Sequence, residues 1–388
     1  MPAYIHTLAT RVPEYTHSQA HTRDRLKAWT ADPRTRRLTH AAHQHSGIET
    51  RHSVLPDFQE GAAAVLYRPG PDGSLVSPGT AARNACYTQA APRLAVDTAR
   101  QALGEDRAFT PAEVTHVIYV SCTGFVNPGP DFHLIRELGL PASVQRYTLG
   151  FMGCYAALPA LRMAAQFCEA DANAAVLVVC TELCTLHLRL DDRPDSVLAN
   201  ALFADGAAAA VVSARTPAPG TPAYRLDGFA SVLLPTGESA MAWDIRDDGF
   251  AITLSSYVPD LLAGDLRERI AGTLAARGLQ PGQVDEWAVH PGGRAILDRV
   301  EDSLGLERNG LHASRNVLRD YGNMSSATLL FVLKELLDEA ESAPAVTCAM
   351  AFGPGLTLET AVLERLGCTV PQLSLPRGEP RRPTLVMS

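Results

Sequence analysis

The chain has 388 residues, 46% hydrophobic and 20% charged, the proportions of a soluble globular protein with room for one large or two medium domains. Its net charge of -8 and pI near 5.8 exclude a general attraction to nucleic acid or anionic lipid, so any anionic ligand must be met by a local basic patch. No run reaches the ~18 apolar residues of a membrane span, and Tyr4-Ile5-His6-Thr7-Leu8 passes into Arg11, Pro13 and Glu14 without a signal-peptide pattern, which leads us to expect a cytoplasmic protein.

Taken in chain order, residues 92–103 place Ala95, Ala99, Ala102 and Leu103 at i, i+4, i+7 and i+8, one face of a helix. Residues 114–121 and 175–180 are almost wholly apolar and read as strands covered on both faces. Between them, small residues at 150–157 crowd around Cys154 just ahead of a helix-forming stretch at 161–167. Pro and Gly between 215 and 223 read as a connector. Beyond it, residues 284–290 resemble 114–120, and 351–356 resemble 202–207. The alternation predicts an α/β fold, and the repeat predicts two related halves, residues 1–220 and 221–370, followed by an extended tail at 371–388.

The eight cysteines, at 86, 122, 154, 168, 180, 184, 348 and 368, form no CxxC pair, so neither a disulfide framework nor a zinc site is expected. An unpaired cysteine is by default buried filler. Cys154 differs in its surroundings. Gly150 and Gly153 permit a tight turn, and a helix beginning at Cys154 would aim its positive end at the sulfur and favour the thiolate. Pro159 requires that this helix either begin near Leu158 or bend. Far downstream, His290 and Asn323 sit beside glycines in Val-His-Pro-Gly-Gly-Arg and Tyr-Gly-Asn-Met-Ser-Ser. Each alone reads equally as a turn residue. Together with Cys154 they supply what a thiolate acyl carrier needs, a base or ion-pair partner and an amide donor. Glu182 and Asp205 are not required by that chemistry and are expected to bond to backbone or to bridge the halves. Gly353-Pro354-Gly355, with no Lys-Ser/Thr after it, reads as a rigid wall rather than a phosphate cradle.

Seven motifs then occur in order: Cys-Thr-Gly-Phe-Val-Asn-Pro-Gly-Pro-Asp at 122–131, Gly-Cys-Tyr-Ala at 153–156, Val-Val-Cys-Thr-Glu at 178–182, Ala-Leu-Phe-Ala-Asp-Gly at 201–206, His-Pro-Gly-Gly at 290–293, Tyr-Gly-Asn-Met-Ser-Ser at 321–326 and Gly-Pro-Gly-Leu-Thr-Leu-Glu at 353–359. With these the chain resembles, over nearly its whole length, the type III polyketide synthases, the chalcone synthase-like branch of the thiolase superfamily. The resemblance implies a thiolase-like, five-layered αβαβα fold of two pseudo-duplicated halves. It also implies a homodimer that uses acyl-CoA and malonyl-CoA without metal or organic cofactor.

Carried over residue by residue, Cys154 falls on the acyl-carrying cysteine, His290 and Asn323 complete its triad, and Phe203 stands between the CoA tunnel and the reaction cavity. Cys122, Gly353, Pro354 and Gly355 belong to the cavity. Arg51, Arg294, Gly292, Gly293 and Ala295 are the CoA candidates, with Arg36 and Arg37 as further basic residues. The chain departs from the plant pattern at Asn127, where a methionine reaches into the partner's cavity, at Cys184 and His187, at Ile252, and at Trp243, which replaces a glycine. Residues 46–51 and 241–250 resemble the bacterial branch that makes alkylpyrones and alkylresorcinols from fatty acyl-CoA, and a cavity lined by Cys122, Cys184, Phe203 and Ile252 suits an aliphatic starter. Two other readings share parts of the pattern: a fatty-acid-initiating ketosynthase fed by an acyl carrier protein, and a non-catalytic chain-length subunit, a class that lacks the reactive cysteine.

Overall fold

Apolar runs bounded by Gly, Pro and Asp become strands here, and nine of them join in one sheet. The computed structural model describes the chain except residues 60, 69–74, 105–107, 235–237, 239, 256–264, 340–342 and 368–388, so the expected tail and Cys368 lie outside the described residues. The sheet strands are β1 (Ala3–Arg11), β2 (His116–Ser121), β3 (Gln145–Gly150), β4 (Ala175–Leu183), β5 (Asp205–Ser213), β6 (Ala223–Leu233), β7 (Glu286–Val289), β8 (Ala345–Gly353) and β9 (Thr357–Leu366). Their order across the sheet is β7-β8-β9-β6-β1-β5-β4-β2-β3.

That order is a repeat about one seam. From β1 outward run β5, β4 and β2; from β6 outward run β9, β8 and β7, and the antiparallel pair of β1 with β6 joins the two sets. In each set the outermost of these pairs, β4 with β2 and β8 with β7, is parallel and the others antiparallel. The local sequence repeats with it: a Pro-led 3-10 turn with a capping box, Thr110 to Glu113 or Gln280 to Gln283, leads into β2 and into β7. Residues 202–207 and 351–356, alike in sequence, each run into the return strand, β5 or β9.

Two helices, Ala157–Ala170 and Thr328–Asp338, are apolar on nearly every side because both sets of strands close over them. One core cluster contains both helices together with residues of β1, β2, β4 and β5 on one side and of β6 to β9 on the other. Outside the first set pack Thr80–Ala102 and Pro130–Leu138; outside the second pack Leu266–Ala275 and Arg294–Leu304. The result is helix, sheet, helix, sheet, helix. The helix expected at 92–103 begins 12 residues earlier and runs through Pro92, since the burial of Tyr87, Ala91 and Leu94 outweighs one lost hydrogen bond.

Among the described residues no helix is long and apolar enough to cross a membrane, and no three His, Cys, Asp or Glu side chains come together as a metal would require.

Candidate active site

Cys154, His290 and Asn323, spread over 169 residues of sequence, all line one cavity of about 320 Å³. The topology brings them there. β3 and the turn after it deliver Cys154, β7 ends one residue before His290, and Asn323 follows the helix His312–Tyr321. Ligand sites gather at the carboxyl ends of parallel strands, and β2, β3 and β7 end at this place.

The Cys154 turn is held by contact with the other half. Gly153 has φ +93°, and a Cβ there would stand 2.3 Å from Pro354 Cδ. The helix begins at Ala157, three residues beyond the cysteine, with Pro159 in its first turn where proline is tolerated. This corrects the expectation that a helix beginning at Cys154 lowers its pKa. Burial pushes the thiol up to about 12, a hydrogen bond from Ser325 draws it down, the Glu182 carboxylate raises it, and the Asn323 carboxamide lowers it again. Burial alone takes His290 down to about 3. Burial therefore disfavours the charged form of each group taken singly. His290 is 1% exposed and neither of its ring nitrogens has a hydrogen-bond partner among the described residues, so one is left to accept a proton.

Asn323 is positioned at three points. Its backbone N–H donates to Leu202 O at 3.0 Å, its carbonyl accepts from Ala204 N at 2.9 Å, and its Oδ1 accepts from Ser325 N at 2.9 Å. The amide nitrogen is thereby turned toward the His290 turn, where it donates to Gly292 O at 3.4 Å. The same backbone pairing fixes Phe203 opposite Asn323. Ser325, at φ +48°, is a non-glycine residue held in the left-handed region, and its hydroxyl reaches Cys154.

Cys122, Cys184, Phe203, Trp243, Ile252 and Pro354 also line the cavity, and so do Gly292, Gly293, Arg294 and Ala295, the candidates for CoA. Cys122 Sγ accepts from Gly153 N at 3.0 Å, and Trp243 Nε1 donates to Cys122 O at 2.9 Å, which pins the indole across the floor. Five expected site residues lie elsewhere. Arg51 is 3% exposed and donates from Nη1 to the carbonyls of Asn200 and Phe203, too deep for a CoA phosphate. His187 is locked behind the wall: its Nδ1 accepts from Phe250 N, so its Nε2–H donates to Thr123 O at 2.8 Å, and its ring stacks on Phe250 at 4.1 Å. Asn127 is exposed and does not line this chain's own cavity. Gly353 and Gly355 shape the wall from behind, the first because a Cβ would strike the Tyr155 ring at 2.4 Å.

Of the remaining basic candidates only Arg294 lines the cavity. Arg294 opens a helix beside the cavity with its side chain 56% exposed, while Arg36 and Arg37 are exposed on the helix Pro33–Gln44 that leads to Ala42 and His45 on the cavity rim. His45, Leu198, Leu254 and Ser325 line the cavity without having been singled out in the sequence. Of these, Leu198 and Leu254 carried no signal beyond ordinary apolar periodicity. Glu182 does bridge the halves, accepting from Cys122 N, Thr123 Oγ1 and Ser326 Oγ, and Asp205 accepts from the backbone of Val54 and Thr185.

The Gly153 contact gives a direct test. Gly153→Ala adds both a clash and an unfavourable φ, and we expect it to cost roughly 2–4 kcal/mol. Urea unfolding reads this; a midpoint equal to that of the parent would show that Pro354 yields freely.

With this geometry in place, comparison with known proteins is specific. Residues 3–216 match the chalcone and stilbene synthases, N-terminal domain, and residues 226–367 the chalcone and stilbene synthases, C-terminal domain. Among solved structures, PKS-I from the brown alga Ectocarpus siliculosus is 30% identical with a TM-score of 0.88, over 94% of this chain and 98% of that one. The C-terminal type III polyketide synthase domain of Steely1, a type I/III hybrid from Dictyostelium, is 29% identical with a TM-score of 0.83, over 94% of this chain and 100% of the other.

Proposed function

Because the chain belongs to the chalcone and stilbene synthase family of type III polyketide synthases, malonyl-CoA-dependent enzymes that condense acyl groups, we propose that Cys154 is its acyl carrier and that the starter is an aliphatic acyl-CoA. The observation that carries this is the convergence of Cys154, His290 and Asn323 on one cavity whose other walls are almost entirely apolar.

The steps follow from the groups present. Cys154 gives its proton to His290 and attacks the thioester carbonyl of the starter; CoA leaves as its thiol and the acyl group stays on sulfur. Malonyl-CoA then enters. Its thioester oxygen accepts from the N–H of His290, neutral again once CoA has left as its thiol, and from Asn323 Nδ2, so the electron pair released with carbon dioxide is held as an enolate. The enolate carbon attacks the Cys154 acyl carbonyl and releases the sulfur. Repetition lengthens the chain, and the poly-β-keto product cyclises to an alkylpyrone or alkylresorcinol type.

Leu198, Leu202, Met241, Ile252, Leu254 and Phe352 support the aliphatic starter, each methylene buried against them contributing ~0.8 kcal/mol. Arg294 and the Gly292-Gly293 turn are our candidates for the CoA end. A homodimer is part of the proposal: Asn127, exposed beside Phe125 and outside its own cavity, is available to a second copy.

Purified protein mixed with malonyl-CoA and a panel of acyl-CoA starters, without any carrier protein, tests the reading by product mass spectrometry. Aliphatic starters should give polyketides in preference to aromatic ones. Absence of product until an acyl carrier protein is added would instead support the fatty-acid-initiating ketosynthase.

A further inference from the structure

Behind the reaction cavity lies a second one of about 30 Å³. Cys184, Phe203, Trp243 and Ile252 line both and form the partition between them. The space holds about two water-sized oxygens. Arg51 and His17 line it, 3% and 6% exposed, and three of their buried polar atoms have no hydrogen-bond partner: Arg51 Nε, Arg51 Nη2 and His17 Nδ1.

The chemistry of the vacant donors is informative. Arg51 uses only Nη1, on the carbonyls of Asn200 and Phe203 at 2.7 and 2.9 Å. The edge left over, Nε with Nη2, presents two parallel N–H groups at the spacing of a carboxylate's oxygens. Elsewhere in this chain that same edge does grip carboxylates: Arg23 holds Asp24, Arg225 holds Asp227 and Arg319 holds Asp320 in this way. At Arg51, among the described residues, no carboxylate occupies it. Asp205, whose field acts on Arg51, spends its oxygens on Val54 N, Thr185 N and Thr185 Oγ1. The other cation on the cavity, Arg189, is already paired with Asp191 and Asp248.

We propose that this small cavity is a carboxylate subsite, which takes the free carboxylate at the far end of an acyl chain whose near end is on Cys154; the favoured starter class is then the CoA thioester of an aliphatic dicarboxylic acid. The inference rests on Cys154 being the acyl carrier. A free anion would have to cross the apolar first cavity to arrive, whereas a tethered chain lays its methylenes along those walls and delivers only its end. Trp243 is pinned through its indole N–H, but no hydrogen bond holds the side chains of Phe203 or Ile252, and these two part to admit the chain.

The test uses pairs of acyl-CoA starters of equal carbon number, one ending in methyl and the other in carboxylate, over a ladder of lengths. Loading of Cys154 is read by intact-protein mass and condensation with malonyl-CoA by kcat/KM. At one or more lengths the carboxylate member should exceed its methyl twin by about tenfold or more. Arg51→Lys, which keeps the charge and loses the two-pronged edge, should bring that ratio to one or below. Because Arg51 also supports the backbone at 200 and 203, Ile252→Trp provides a second variant that narrows the passage without touching it, with the same collapse of the ratio expected. Equal or methyl-favoured turnover at every length, with Cys154 loaded by the methyl members, would overturn the subsite alone. Failure of both classes to load Cys154 would overturn the acyl-carrier reading and this inference with it.

Discussion

Cys154→Ala should abolish acyl loading and lower condensation by about 10⁴-fold or more, because every later step acts on the thioester that this sulfur forms. The substitution removes one atom from a half-buried turn ahead of the helix, so folding is expected to be unaffected, and circular dichroism provides the control. The parent protein offers a companion measurement. Cys168 is fully buried, directs its thiol at Ala174 O, is pushed up to about 11, chiefly by burial, and does not line the cavity that Cys154 shares with His290. Iodoacetamide at neutral pH should therefore modify Cys154 well ahead of Cys168. Equal reactivity of the two would sink the nucleophile assignment.

His290→Ala and Asn323→Ala should each depress malonyl-CoA decarboxylation by about 10²–10³-fold, since each removes one donor to the enolate oxygen in a cavity whose other walls are almost entirely apolar. Carbon dioxide release at parental rates in both variants would contradict that role. The two differ in what they do to the sulfur. With burial holding the thiol up to about 12 and the imidazole down to about 3, the proposed mechanism needs the thiolate to form by proton transfer to His290. His290→Gln leaves the thiol without an acceptor, so its alkylation should fall to the Cys168 level near pH 7 and recover only as pH rises toward the thiol's own range. Asn323→Ala keeps the imidazole and should retain most of the alkylation rate.

The two-half organisation could be read from the sequence because it is written twice, in the matched strands β2 and β7 and in the turns that precede them. Cys154, His290 and Asn323 could be read for a related reason: each sits beside glycines that serve a tight backbone path rather than a core. What could not be read is depth. Arg51 alternates with its neighbours on a short strand, Thr50–Ser53, and nothing in Thr-Arg-His-Ser says which face is covered by the helix Pro194–Leu202 and its Phe203 end. His187 follows a buried strand as Cys184 does, yet one residue type lines the cavity and the other is turned behind it by a bond to Thr123 O. The thiol's distance from the helix was legible in part, since Pro159 requires a start near Leu158 or a bend and the helix begins at Ala157; the contact of Gly153 with Pro354 joins residues 201 apart and carries no local signal.

The near-contact of Gly153 with Pro354 has a bearing on how such a sequence changes over generations. Position 354 can lose its ring while 153 stays glycine, whereas a side chain at 153 meets both that ring and a φ of +93°. Change across these two sites, 201 residues apart, therefore has a direction: 354 must yield first, and the backbone at 153 after it.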